Sequence, residues 1–268
     1  MKVAGKVVVV TGAGSGMGRE VALELLRRGA RIAGVDINET SLAETVTLAG
    51  AGAPIATFPM SVADRAAVEA LPAAVVEKLG AVDGLINCAG IIQPFVKLVD
   101  LEYTAIDRVF DVNWRGTLYM TKSFLPVLLA RPEGHIVNVS SMGGFIPVPG
   151  QTIYGASKAA VKLLTEGLNS ECARTKVRVT VVFPGAVATN IAQNSGVAIS
   201  MGAADADKQK TMTYPADKAA RDILDGMEKD AYRVLVGSDA RFLDRIYRLH
   251  PRWAAGFIAN KMKDLLPG

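Results

Sequence analysis

Seven short apolar runs rich in valine and isoleucine recur along the chain, separated by stretches in which apolar residues return every three or four positions. The short runs predict strands over 6–10, 31–35, 55–58, 83–87, 134–140, 177–183 and 232–236. The longer periods predict helices over 19–28, 38–49, 63–79, 101–113, 116–129, 152–174 and 215–229. Val7 to Val10 carry no polar alternation, as expected of a strand buried on both faces. Through the fourth strand, strand and helix alternate without a break, which implies right-handed crossovers, and so an α/β, Rossmann-type doubly wound, mostly parallel seven-stranded sheet with helices on both faces. Such sheets bind ligands at the carboxyl ends of their strands.

Length and composition narrow this picture. At 268 residues and 50% hydrophobic content, one large domain over 1–240 can bury its own core, with 241–268 as a helical extension. The net charge of +4 comes from basic and acidic residues mixed along most of the chain, which argues against a nucleic-acid partner. Cys88, Cys172, His135 and His250 lack metal-ligand spacing, so no metal site is expected. With neither a signal-type leader nor an apolar run of membrane length, the expected location is the cytoplasm.

The first strand runs into Thr11-Gly12-Ala13-Gly14-Ser15-Gly16-Met17-Gly18, and a helix follows. Glycines there let the backbone turn sharply and approach a pyrophosphate, while the helix N-terminus offers free N–H groups. Met17 breaks the Gly-x-Gly-x-x-Gly pattern, and Gly12, Gly16 and Gly18 give Gly-x-x-x-Gly-x-Gly instead. No lysine stands where a P-loop needs one. Asp36 ends the second strand, at the distance expected of a carboxylate that accepts ribose hydroxyls and repels a 2′-phosphate. Ser15, Ile37 and Asn38 supply no cation to reverse that preference, so the expected cofactor is NAD.

Tyr154 and Lys158 stand four apart on the helix expected over 152–174, so a phenol and an ammonium share one face. A nearby cation favours the phenolate and suits the pair to acid–base chemistry. Asn113 falls close to the expected junction of two helices, and Ser141 just beyond the fifth strand.

Taken together and in order, Thr11 to Gly18, Asp36, Asn87-Cys88-Ala89-Gly90, Asn113, Ser140-Ser141, Tyr154 to Lys158, and Pro184-Gly185 with Thr189 resemble the core short-chain dehydrogenase/reductase family, across roughly residues 5 to 240. The resemblance implies that Tyr154 is the general acid/base. Lys158 would lower its pKa and bind the nicotinamide ribose, Ser141 would hydrogen-bond the substrate oxygen, and Asn113 would hold a water linking Lys158 to solvent. Cofactor contacts would come from Gly12, Ser15, Gly16, Met17 and Gly18 at the pyrophosphate, and from Asp36 and Ile37 at the ribose. Ser61 and Val62 would meet the adenine, and Asn87, Ala89 and Gly90 would follow the fourth strand. Pro184, Gly185, Val187 and Thr189 would flank the carboxamide. Two positions depart from the family pattern: Cys88 replaces the second asparagine of Asn-Asn-Ala-Gly, and Ser61 replaces the aspartate of Asp-Val against the adenine.

The implied activity is NAD-dependent interconversion of a hydrophobic secondary alcohol and its ketone, by a homo-oligomer, dimer or tetramer. The alternatives are an NADPH-dependent carbonyl reductase and a non-catalytic dinucleotide-sensing scaffold. Ile92, Phe95, Phe145 and Val148 fit an apolar substrate pocket and fit ordinary packing equally well. Residues 190–213 resemble a substrate lid. In the tail, Arg241, Arg245 and Arg248 recur beside Phe242, Ile246 and Leu249, and Trp253, Phe257, Ile258, Met262 and Leu265 continue the apolar face. Such a tail could cover the substrate entrance, pack on a neighbouring subunit or lie on an anionic membrane. A solvated basic face over a core-packing stripe is favoured over peripheral membrane contact.

Overall fold

The computed structural model describes residues 1–197 and 213–262. The first half comprises β1 (Val7–Thr11), α1 (Gly16–Arg27), β2 (Arg31–Asp36), α2 (Glu39–Ala49), β3 (Ile55–Pro59), α3 (Arg65–Leu79) and β4 (Gly84–Asn87). Then come α4 (Tyr103–Phe110), α5 (Thr117–Leu129), β5 (Gly134–Val139), α6 (Thr152–Cys172), β6 (Val177–Pro184), α7 (Ile191–Ser195), α8 (Ala216–Glu228), β7 (Arg233–Val236), α9 (Ser238–Leu249) and α10 (Pro251–Lys261). All seven strands are parallel, in the order β3-β2-β1-β4-β5-β6-β7. The sheet grows outward in both directions from β1 and β4, which makes their carboxyl ends the switch point.

Alternation within β1 assigns the two layers. Val8 and Val10 face α1 and α8, where Val21, Leu25, Ile223 and Leu224 are buried, while Val7 and Val9 face Val75, Met120, Phe124 and Leu168 of α3, α5 and α6. Asn38 and Asp64 cap α2 and α3 by accepting the N–H of Ser41 and Ala67.

Two expectations change. The break expected between helices at 113–116 is absent, because Asp111–Gly116 form a π-helical turn that joins α4 to α5. Gly116 serves close packing: a Cβ there would meet the Val62 side chain at 2.7 Å. The π turn places an extra residue in the helix and turns Asn113 fully inward.

The tail also differs. Its buried stripe is Leu243, Ala254 and Ile258, with Ile246, Tyr247 and Phe257 alongside, packed on Ile146 beyond β5. Phe242 and Leu249, expected on that stripe, are instead exposed, as is Trp253. The first helix of this segment begins at Ser238, and Leu265 lies outside the described residues. Among the described residues, no helix is long and apolar enough to cross a membrane.

Candidate active site

At the switch point the Thr11 hydroxyl accepts the N–H groups of Cys88 and Ala89, both at 3.0 Å, and so ties β1 to the end of β4. A cleft of about 340 Å³ opens above this splice. Gly12, Ser15, Gly16, Met17 and Gly18 line it, together with Asp36, Ile37, Ser61 and Val62. Ala89, Gly90 and Thr189 line it as well. The turn needs its glycines for conformation and for space. Gly12 and Gly16 have φ of +71° and +51°, and a Cβ on Gly16 would meet Thr189 at 3.2 Å. Ser15 makes no side-chain cap on α1, so the N–H groups of that helix's first turn face the cleft without a side-chain acceptor from the N-cap.

Asp36 is pre-oriented. One carboxylate oxygen accepts the Gly14 N–H at 2.9 Å and the other the Asn38 N–H at 3.0 Å. Arg19 bonds the carbonyls of Gly14 and Ser41 nearby, and its charge is already paired with Glu44 at 2.7 Å.

The candidate catalytic side chains gather on α6 and the loops facing it. Ser141 and Tyr154 both lie against Gly143, where an added Cβ would be 3.5 Å from the Ser141 hydroxyl and the same distance from the Tyr154 ring. Burial raises the pKa of the Tyr154 phenol above its ordinary value, and a hydrogen bond with Ser141 offsets this only in part; the lowering expected from Lys158 is not seen, since burial outweighs it. Lys158, one helical turn on, donates to the Val139 carbonyl at 3.0 Å. Its ammonium lies under Gly90 beside Asn113: a Cβ on Gly90 would be 3.1 Å from Lys158 Nζ and 3.3 Å from Asn113 Oδ1. Asn113 accepts the N–H of Ile91 and donates to its carbonyl, each at 2.9 Å, and donates to Ser157 at 3.0 Å. The Ser140 hydroxyl donates to the Lys158 carbonyl at 2.7 Å, which anchors α6 to β5.

These observations meet the comparisons at one point. A sequence profile described as "short chain dehydrogenase" matches residues 6–220. The putative oxidoreductase SadH of Mycobacterium tuberculosis is 41% identical over 258 residues, covering 91% of each chain. The chain belongs to the short-chain dehydrogenase/reductase family. It is an NAD(P)-dependent oxidoreductase. Among solved structures, a short-chain dehydrogenase/reductase from Burkholderia phymatum in complex with NAD superposes with a TM-score of 0.80 at 28% identity, covering 93% of this chain and 96% of that one. Levodione reductase gives 0.79 at 26%, covering 89% and 99%.

Several expected positions of this short-chain dehydrogenase sit away from the cleft wall. The buried Asn87 amide donates to Thr121 and Asn138 and pins β4 to α5 and β5. Pro184 closes β6, and the Gly185 N–H donates to the Val236 carbonyl at 3.0 Å. Val187 pairs with Tyr214. Phe145 packs edge-on to Phe183 at 5.4 Å, and it and Val148 belong to the cluster under α9 and α10, so packing accounts for both. Cys88 lies in the cleft wall with its thiol pushed up to about 12 by burial, and Lys158 opposes that shift. The thiol is therefore neutral at physiological pH.

Five participants were not foreseen: Gln93, Arg108, Ser157, Asn194 and Ser195. Asn194 donates to the Ser15 hydroxyl at 2.7 Å, Arg108 donates to the Ser195 carbonyl, and the Ser195 hydroxyl accepts the Ile92 N–H at 2.9 Å. The first bond ties α7 to the glycine turn, and the other two tie it to α4 and to the loop after β4. Of the expected lid, residues 198–212 lie outside the described residues.

Burial lowers the Lys158 pKa from 10.5 to about 8, with Cys88 opposing. Between pH 8 and 10.5 the unfolded chain therefore holds more protons at this residue, and its contribution to stability rises with pH across that window. Lys158→Met removes that slope. Melting curves of both proteins should show the parent gaining on the variant from pH 8 to 10.5, and parallel curves would contradict the burial argument.

Proposed function

We propose that this chain is an NAD-dependent oxidoreductase that interconverts a hydrophobic secondary alcohol and its ketone, with Tyr154 as general acid/base. The observation that carries the reading is the gathering of Lys158 and Asn113 behind Gly90, a residue of the cleft wall, with Tyr154 one helical turn from Lys158 and Ser141 beside it at Gly143. When bound, the nicotinamide ring donates or accepts the hydride. The protein's task is then to hold the substrate carbon in place and move one proton at its oxygen.

Ser141 orients that oxygen, and Tyr154 gives it a proton in reduction or takes one in oxidation. Lys158 is protonated at neutral pH, given a pKa of about 8, and its charge stabilises the phenolate left after transfer. Asn113 holds the Ile91 backbone beside the ammonium, and a water on its remaining acceptor capacity would link Lys158 to solvent. Gly12 to Gly18 would cradle the pyrophosphate, while Ser61 and Val62 would meet the adenine. Thr189 with the Val187 backbone would hold the carboxamide.

Asp36 supports NAD. A carboxylate oxygen has acceptor capacity beyond the single N–H that each holds here, which suits two ribose hydroxyls and repels a phosphate. Ile92 and Phe95, half-buried on the loop beside Tyr154, favour an apolar substrate. The protein is proposed to act as a cytoplasmic homo-oligomer. Fluorescence titration should give NADH an affinity at least about tenfold above NADPH, and the reverse order would overturn the NAD assignment. A panel of cyclic, terpenoid and long-chain secondary alcohols, followed by NADH absorbance, tests the substrate class. Turnover confined to polar sugars would refute it.

A further inference from the structure

Tyr154 is the third residue of α6, so its backbone N–H lies in the first turn, where helices have donors without intrahelical acceptors. The helix does not cap itself, since Gln151 at its N-cap makes no side-chain capping bond. The acceptor comes from the loop after β4. Gln93 Oε1 takes the N–H of Ile153 at 2.8 Å and that of Tyr154 at 3.0 Å. Gln151 Nε2 donates to the Gln93 carbonyl at 2.8 Å and closes the clasp. Gln93 and Gln151 are 1% and 4% exposed, so the bonds are shielded from water.

Those partners fix both amides. Gln93 faces two N–H donors and must present oxygen, while Gln151 faces a carbonyl and must present nitrogen. Gln93 Nε2 and Gln151 Oε1 are consequently buried without partners. An apolar side chain at 93 would avoid that unfavourable burial, so the use of a glutamine there lies in what its oxygen holds. What it holds is the backbone of Tyr154. The loop is itself anchored near the ammonium, because Asn113 brackets Ile91 and Gly90 lies against Lys158.

We propose that Gln93 is a positioning residue for proton transfer, setting the Tyr154 phenol relative to Ser141 and Lys158 by clasping the first turn of α6 to the β4–α4 loop. The proposal rests on Tyr154 being the proton-transferring group. Gln93→Leu removes the acceptor, and Gln93→Glu keeps it while adding a negative charge.

Amide hydrogen exchange on the full chain reads the clasp without any substrate. Gln93→Leu should speed exchange at Ile153 and Tyr154 by about tenfold or more relative to α3, and Gln93→Glu should leave it near the parental rate. In turnover, Gln93→Leu should lower kcat about tenfold or more with NADH affinity within about twofold of the parent. Gln93→Glu should recover most of that rate, with the pH limb assigned to Tyr154 displaced upward because a neighbouring negative charge disfavours the phenolate. Parental exchange or parental kcat in Gln93→Leu overturns the proposal. So does a Gln93→Glu variant no better than Gln93→Leu, or faster exchange that extends equally to α3. Should the parent turn over none of the panel alcohols, the substrate reading fails by itself, and the exchange experiment still decides whether Gln93 holds Tyr154.

Discussion

Tyr154→Phe should lower kcat by about 10²–10⁴-fold, the range spanned by general acid–base catalysis, while the dissociation constant for NADH stays within about threefold of the parent. Phenylalanine keeps the ring between Gly143 and the first turn of α6 and removes only the hydroxyl. The residues that line the cleft at the glycine turn and at Asp36 do not include Tyr154, so cofactor seating should survive loss of the hydroxyl. The Ser141 hydroxyl loses its phenolic partner and still accepts the Gly143 N–H at 3.1 Å, which keeps the loop in place. The variant's residual rate should also lose the pH limb assigned to Tyr154, because no titrating proton donor remains at that oxygen. Single-turnover absorbance with saturating NADH is the measurement. A variant that keeps more than about a tenth of the parental rate would assign the proton to another group.

That expectation could be read largely from the chain, and the reason is physical. Strand β1 announces itself because four valines in succession can only be a segment buried on both faces. Tyr154 and Lys158 announce themselves because helical spacing is a local property. What stayed hidden was decided by partners distant in sequence. Gln93 looks like an ordinary loop residue until Ile153 and Tyr154 arrive some 60 positions later to supply their N–H groups. The π turn at Asn113 stands where helical periodicity predicts a junction, because the continuity depends on a distant residue: Val62 lies too close to position 116 for any side chain there. In α9, two apolar stripes compete at helical spacing. Ile146, in a separate loop, selects Leu243 for burial and leaves Phe242 and Leu249 exposed.

Gly18→Ala should weaken NADH by about two orders of magnitude and destabilise the fold by about 1–3 kcal/mol, the usual cost of overpacking. Gly18 sits in the first turn of α1, pressed against the start of the glycine turn. A Cβ there would fall 2.6 Å from the Gly12 carbonyl carbon and closer still to its oxygen. Both are backbone atoms, so no rotamer change relieves the clash. Either Gly12 moves, which disturbs the φ of +71° that shapes the turn, or α1 lifts off and carries its N-terminal N–H groups away from the cleft. Both routes separate the donors from the position a pyrophosphate would take. Gly167→Ala provides the contrast, because nothing lies within 4 Å of a Cβ at that mid-helix position in α6. There alanine should stabilise the protein by about 0.5–1 kcal/mol through helix propensity and leave NADH affinity unchanged. Thermal melts and fluorescence titrations on the two variants separate the roles. If Gly18→Ala bound NADH as tightly as Gly167→Ala does, the first glycine turn would not be the pyrophosphate cradle, and the cofactor would have to be seated elsewhere in the cleft.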